Sequence, residues 1–130
     1  MEPSNPIRPV TFLSDFGYSD EYTGVCRMVV AGVDDRIKML DITHGIPPGD
    51  VRRGALALAS TVRFSLPAVH LAVVDPGVGG SRRALVLTCK EHHLVGPDNG
   101  LLQLAATLLG GIEAAFDISA TPVRIGESDT

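Results

Sequence analysis

Cysteine, clustered positive charge and long apolar runs are what this chain has least of. Two cysteines, Cys26 and Cys89, are too few for a disulfide framework or a four-thiolate metal site, and no Cys-x-x-Cys pair occurs. They read as buried thiols of a reducing cytoplasm. The formal net charge is −4, and the doublets Arg52-Arg53 and Arg82-Arg83 form no basic face, which excludes binding to a nucleic-acid backbone. No apolar run approaches the roughly 18 residues that a membrane helix needs. The first nine residues hold Glu2 and three prolines, with neither the basic start nor the apolar core of a signal peptide. Tryptophan is absent, and no internal repeat or low-complexity segment is found. What remains, 45% hydrophobic and 20% charged over 130 residues, is one compact domain long enough to bury a core.

The pattern alternates between strand-like and helix-like segments. Pro9 to Ser14 is a short β-favouring run ended by Asp15-Phe16-Gly17. A helix is expected from Ser19, capped by that serine, with Tyr22, Val25, Val29 and Val33 at helical spacing. Ile37 to Ile42 reads as a strand, and the loop from Thr43 to Gly49 holds two adjacent prolines that forbid regular structure. Asp50 is a natural N-cap for a helix from Val51 to Phe64 whose apolar face is Ala55, Leu58, Ala59 and Val62. Ala68 to Val74 is so continuously apolar that it is expected to be a parallel strand covered on both faces. Ala84 to Thr88 and His92 to Val95 read as a hairpin, Leu101 to Leu109 as a short helix, and Ala114 to Ile118 as a last strand. Strand, helix, strand, helix, strand predicts an α/β fold with a mostly parallel sheet in a three-layer, Rossmann-like sandwich. The expected organisation is a tail at 1–8, an α/β domain at 9–118 and an irregular tail at 119–130.

Four polar turns follow the strands, around Asp15, His44 to Pro48, Asp75 to Arg82, and Asp98-Asn99. Parallel strands bring such turns together at their carboxyl ends, where α/β folds bind ligands. Asp15 there suits either the hydroxyls of a ribose or a turn cap. In Val73-Val74-Asp75-Pro76-Gly77-Val78-Gly79-Gly80-Ser81-Arg82-Arg83 an apolar strand runs into a glycine-rich loop that folds Asp75 and Arg82, seven positions apart, toward one spot. The two are either a surface ion pair or a pair that activates water, the guanidinium stabilising developing hydroxide and the carboxylate steering its proton. The loop lacks the Lys-Ser/Thr of a phosphate-cradling P-loop and the spacing of a dinucleotide fingerprint. His44 suits a ligand, a base or a packed residue, and His92-His93 point to opposite faces of a strand, a poor chelate. No metal site is expected.

Taken in order, several motifs go beyond periodicity. They are Ser-Asp-Phe-Gly at 14–17, Asp20-Glu21-Tyr22 with Gly24, Asp41-Ile42-Thr43-His44 with Ile46-Pro47, Gly54-Ala55, the 73–83 loop, and Gly96-Pro97-Asp98-Asn99-Gly100-Leu101-Leu102. Together they closely resemble the S-adenosylmethionine hydroxide adenosyltransferase family, water-using relatives of the fluorinase and chlorinase enzymes, over roughly residues 10–118. The resemblance implies hydrolysis of S-adenosylmethionine to adenosine and L-methionine by water or hydroxide at the ribose C5′, with no cofactor beyond the substrate. It implies a catalytic triad of Asp, Arg and His whose first two positions are Asp75 and Arg82. Asp15 falls on the ribose acid, Asp20, Glu21 and Tyr22 on the nucleoside pocket, and Gly49, Val78 and Asn99 on further substrate positions. Halogenases of this kind carry tyrosine where Asp75 stands and, in the fluorinase, threonine where Val78 stands, so a carboxylate that repels halide favours hydroxide chemistry.

The family's triad histidine lies in a Phe-His-Gly-Arg-Asp type segment, and its β-barrel C-terminal domain completes the site against a neighbour in a homotrimer. Neither is present in this chain, which is therefore expected to be an N-terminal fragment with an incomplete site. The alternative from another class is a non-catalytic module that binds adenosine or S-adenosylmethionine.

Overall fold

Side-chain parity along the strands sorts the sheet into one sealed face and one partly open face. The computed structural model describes residues 7–77 and 82–120. Its elements are β1 Val10–Ser14, α1 Tyr22–Val33, β2 Met39–Thr43, α2 Val51–Val62, β3 Val69–Val73, β4 Ala84–Cys89, β5 His92–Pro97, α3 Gln103–Leu108 and β6 Ala114–Asp117. The six strands form one sheet in the order β2-β1-β3-β5-β4-β6. β2, β1, β3 and β5 run parallel, while β4 is antiparallel to both β5 and β6. The sheet is thus a parallel core extended by a hairpin, and the fold is α/β as expected. From β1 the chain crosses to β2 on one side, then returns to β3 on the other. Right-handed crossovers in opposite directions place α1 and α2 on opposite faces.

The sealed face is built by Leu13, Ala72, Val74, Leu87, Cys89 and Leu94 of the strands and their ends, packed against Leu58, Ala59 and Val62 of α2 and Leu101, Leu102, Ala105 and Ala106 around α3. Close approach here depends on glycine: a Cβ on Gly54 would lie 3.0 Å from Leu101 Cδ1 and 3.1 Å from Val74 Cγ2. Asp50 caps α2 as expected, its carboxylate accepting the Arg53 N–H at 3.0 Å.

Two expectations are corrected. β3 is not covered on both faces: His70, Ala72 and Val74 are buried, but Val69, Leu71 and Val73 are only half-buried. The reason is that α1, with no fully buried residue, sits beside β1 and β2, held by the Arg27–Asp41 ion pair and the Tyr22 ring 5.8 Å from Phe16. Ser19 does not cap α1. That helix starts at Tyr22, and Asp20, one turn position nearer, accepts the Tyr22 N–H at 3.1 Å instead.

His70 is fully buried in the sealed face, bonded to Thr11 Oγ1 at 2.7 Å and to His92 Nδ1 at 2.9 Å. Burial, and then the neighbouring His92, pull its pKa down to about 4, and burial also lowers His92. The folded protein therefore keeps His70 neutral where the unfolded chain, near 6.5, takes up a proton. Stability from this group is complete above pH 6.5 and is lost as pH falls toward 4, by on the order of 3 kcal/mol. Urea midpoints measured from pH 7 to pH 4 should fall across this window, and fall less in His70→Gln. A flat wild-type profile would contradict the buried neutral ring.

Candidate functional site at the carboxyl ends of the parallel strands

All four polar turns meet at one edge, because β1, β2, β3 and β5 point the same way and their following loops interlock. Asp15, just past β1, donates its backbone N–H to Val73 O at 3.3 Å, stitching the ends of β1 and β3. Its carboxylate Oδ2 accepts the Gly49 N–H at 2.6 Å from the loop after β2. Gly49 has φ +73°, and a Cβ there would lie 3.1 Å from Pro76 Cβ in the loop after β3. Asn99, after β5, donates from Nδ2 to Val74 O at 2.9 Å and accepts the Leu101 N–H at 3.1 Å. Its amide fastens the β5–α3 turn beside Asp75.

Asp75 and Arg82 do fold onto one spot. Asp75 Oδ1 accepts the Gly77 N–H at 2.9 Å and the Arg82 Nε–H at 3.0 Å. The Asp75 side chain keeps 14% of its surface exposed and that of Arg82 34%, so the pair faces solvent without being dissolved in it. Beside it lies a cleft of about 310 Å³ lined by Leu71, Val73, Val95, Pro97, Asp75 and Arg82. This is the partly open sheet face continued up to the charged pair. Next door, Arg83 grips Asp98 at 2.6 Å, an exposed strap between the β3–β4 loop and the β5–α3 turn. A larger hollow of about 450 Å³ lies at the other end of the strands among Val62, Arg63, Lys90 and His92, away from every carboxylate named here except Glu91 in its own lining.

The remaining expected positions are spread along the rim. Asp20 and Glu21 are exposed at the start of α1, and Tyr22 is exposed with its ring against Phe16. Val78 lies outside the described residues. His44 is buried, and both ring nitrogens are occupied, Nδ1 with Ser14 Oγ at 2.6 Å and Nε2 with Asp41 Oδ1 at 2.9 Å. His92 stacks on His70, and His93 bonds Thr88 Oγ1 at 3.1 Å, so the two adjacent histidines serve different neighbours. Among the described residues no group of three or more His, Cys, Asp or Glu is placed to hold a metal ion. Sequence reasoning missed Ser14, Tyr18 and the Arg27–Asp41 pair. An acid and a histidine three apart across a strand end, Asp41 and His44, were a signal for their own bond but not for Arg27.

Carboxylates at a topological switch point, one next to an apolar cleft and paired with a guanidinium, make this edge the candidate small-ligand site of an α/β protein. Residues 10–130 match the family described as SAM hydroxide adenosyltransferase N-terminal domain, and the chain belongs to that family. An (R)-S-adenosyl-L-methionine hydrolase of Salinispora arenicola is 51% identical over 110 residues, covering 85% of this chain and 42% of the relative. One from Salinispora tropica is 49% identical, covering 88% and 44%. A crystal structure of a conserved hypothetical protein from Thermus thermophilus superposes with TM-score 0.79 at 45% identity, over 86% of this chain and 47% of that one. The chain thus spans a little under half the length of the relatives it matches.

The glycines of the site give a direct check. Gly17, at φ +80°, has open space where a Cβ would go, so Gly17→Ala should cost only the backbone term of about 1 kcal/mol. Gly49→Ala adds the clash with Pro76 and disturbs the Asp15 contact, and should cost about 2 kcal/mol or more. Denaturant unfolding of the two variants should rank them in that order, and the reverse order would mean that the β2–α2 loop is not packed as described.

Proposed function

We propose that this chain is the nucleoside-binding part of an enzyme that hydrolyses S-adenosylmethionine to adenosine and L-methionine. The observation that carries the reading is the Asp75–Arg82 pair at the end of β3, in the same loop cluster as Asp15. The names of the two relatives at about half identity support the substrate.

In this reading Asp15 takes the ribose hydroxyls, with Oδ2 held by Gly49 so that the carboxylate does not turn. Asp20, Glu21, Tyr22, Gly49 and Asn99 line the nucleoside, and the family resemblance gives Val78 a substrate position as well. Water attacks C5′, the C5′–O bond forms as the C5′–S bond breaks, and the sulfonium electron pair leaves on sulfur as the neutral thioether of methionine. Asp75 accepts the water proton, and Arg82 holds Asp75 in place and stabilises hydroxide character on the attacking oxygen. Water is a poor nucleophile and the thioether a good leaving group, so activating water is the step these two residues serve. The triad histidine that the family resemblance implies has no Phe-His counterpart in residues 1–130. We place the working enzyme in the cytoplasm as a homotrimer. The exposed apolar Val25, Met28 and Val33 of α1 support association.

A second reading is a non-catalytic module for adenosine or S-adenosylmethionine, supported by the Asp75 carboxylate being already engaged by the Arg82 guanidinium at 3.0 Å. Calorimetry with adenosine beside chromatographic detection of adenosine released from S-adenosylmethionine separates the two. The hydrolase reading expects slow release by the 130-residue chain, well below that of a full-length relative, and its loss by about 100-fold or more in Asp75→Asn with adenosine affinity kept within a few-fold. Binding with no release above background in the wild type favours the module, and release that Asp75→Asn leaves untouched rejects Asp75 as the proton acceptor.

A carboxylate at position 75 also makes a prediction about anions. Fluoride or chloride added to the S-adenosylmethionine reaction should give no 5′-halo-adenosine, since halide would have to approach Asp75. Chromatography showing such a product would overturn the choice of hydroxide over halide.

A further inference from the structure

His44 makes more bonds than a packing residue needs. Its ring spans Ser14 and Asp41, its backbone N–H donates to Tyr18 Oη at 2.8 Å, and its carbonyl accepts the Gly17 N–H at 2.8 Å. Three of these four partners belong to the segment 14–18 that surrounds Asp15. We propose that His44 is a positioning residue for the Asp15 carboxylate, acting through Ser14 in a hydrogen-bonded chain Arg27–Asp41–His44–Ser14 that runs in one fixed direction. This rests on the reading of Asp15 as the acid that takes the ligand's hydroxyls.

The direction follows from proton counting. Burial alone would raise the Asp41 pKa, but hydrogen bonds from His44 and Arg27 outweigh it and hold the group below the ordinary carboxylate value. Asp41 is therefore an acceptor only, and His44 Nε2 carries the ring proton that faces it. Nδ1 is then an acceptor, and the single hydroxyl proton of Ser14 goes to it across 2.6 Å. The lone pairs of Ser14 Oγ are left for the Phe16 N–H at 3.2 Å. The His44 carbonyl meanwhile takes the Gly17 N–H. Both peptide N–H groups that follow Asp15 are thus held by this chain, and Asp15 itself is left to meet Gly49.

The same constellation of serine, histidine and aspartate is not a hydrolytic triad. Ser14 is fully buried and His44 nearly so, and the hydroxyl oxygen is already an acceptor for a main-chain N–H. No carbonyl carbon can reach it without unfolding the loop. What the chain does instead is fix a tautomer. An asparagine at position 41 has an N–H₂ that can donate to Nε2, which moves the ring proton to Nδ1 and sets it against the Ser14 hydroxyl.

Proton–nitrogen NMR of the histidine rings in the 130-residue chain is the test. The proposal expects the Nε2–H tautomer for His44 in the wild type, a measurement that needs no variant to fold. In Ser14→Ala and Asp41→Asn, with folding checked by their unfolding midpoints, the Gly49 amide proton should shift toward its unbonded position. Adenosine affinity should fall about tenfold, the weight of one hydrogen bond to a charged group. The Nδ1–H tautomer in the wild type, or an unmoved Gly49 amide in both folded variants, overturns the proposal. If the wild type binds no adenosine, the hydrolase reading fails for this chain, while the tautomer and the Gly49 amide still decide the role of His44.

Discussion

β1 pairs in parallel with β2 on one side and β3 on the other, and the site depends on that single constraint. A strand flanked on both sides by parallel neighbours fixes where three loops must emerge, and the reversal of strand order at β1 opens a crevice between the loops on either side. The Asp15 N–H bonded to Val73 O closes the backbone across that crevice. The Asp15 carboxylate then takes the Gly49 N–H from the opposite side. One residue thus receives constraints from both neighbours of β1, which is what an acid must have if its orientation is to be set before a ligand arrives.

Much of the fold was legible because local signals agreed with one another. Asp50 preceding an apolar face gave the start of α2, and the polar Cys89-Lys90-Glu91 break between two apolar runs gave the β4–β5 hairpin. The failures had non-local causes. β3 is as apolar as a strand buried on two faces, yet no local pattern reveals that α1 is spent on β1 and β2 and leaves Leu71 and Val73 half-covered. Ser19 lost its capping role to Asp20, whose carboxylate reaches the Tyr22 N–H in a tighter turn. Such competition between neighbouring polar residues is settled by small differences in loop geometry, below what residue type alone expresses.

The site was legible to a different degree. Strand-end acids and the Asp75–Arg82 spacing pointed to the edge where the structure gathers Asp15, Gly49, Asp75 and Asn99, because the position of a residue relative to a strand's end is a one-dimensional property. His44 was harder. Its partners lie 30 positions away at Ser14 and three away at Asp41, and only the pairing of β1 with β2 brings them together. A histidine with both nitrogens occupied is indistinguishable by sequence from one with a free nitrogen.

On the hydrolase reading, charge suits this edge to a sulfonium better than to a phosphate. The loops carry Asp15, Asp20, Glu21, Asp75 and Asp98 against Arg82 and Arg83, and each of those arginines is already paired, with Asp75 and Asp98. A polyanion would meet carboxylates and no uncommitted cation among these residues, whereas a cationic ligand meets attraction. On the hydrolase reading that attraction carries a danger. A carboxylate placed against the sulfonium would stabilise the ground state more than the transition state, in which the positive charge on sulfur is disappearing, and would slow the reaction. The Arg82 guanidinium on Asp75 Oδ1 answers this by cancelling much of the carboxylate's long-range field while leaving it able to accept a proton at contact distance. The positive character that grows on the attacking water is met by Asp75 at hydrogen-bond range, where the interaction is strongest. On the hydrolase reading the ion pair is part of the chemistry: it makes the acid's effect short-ranged, so that it acts on water and not on the leaving sulfur.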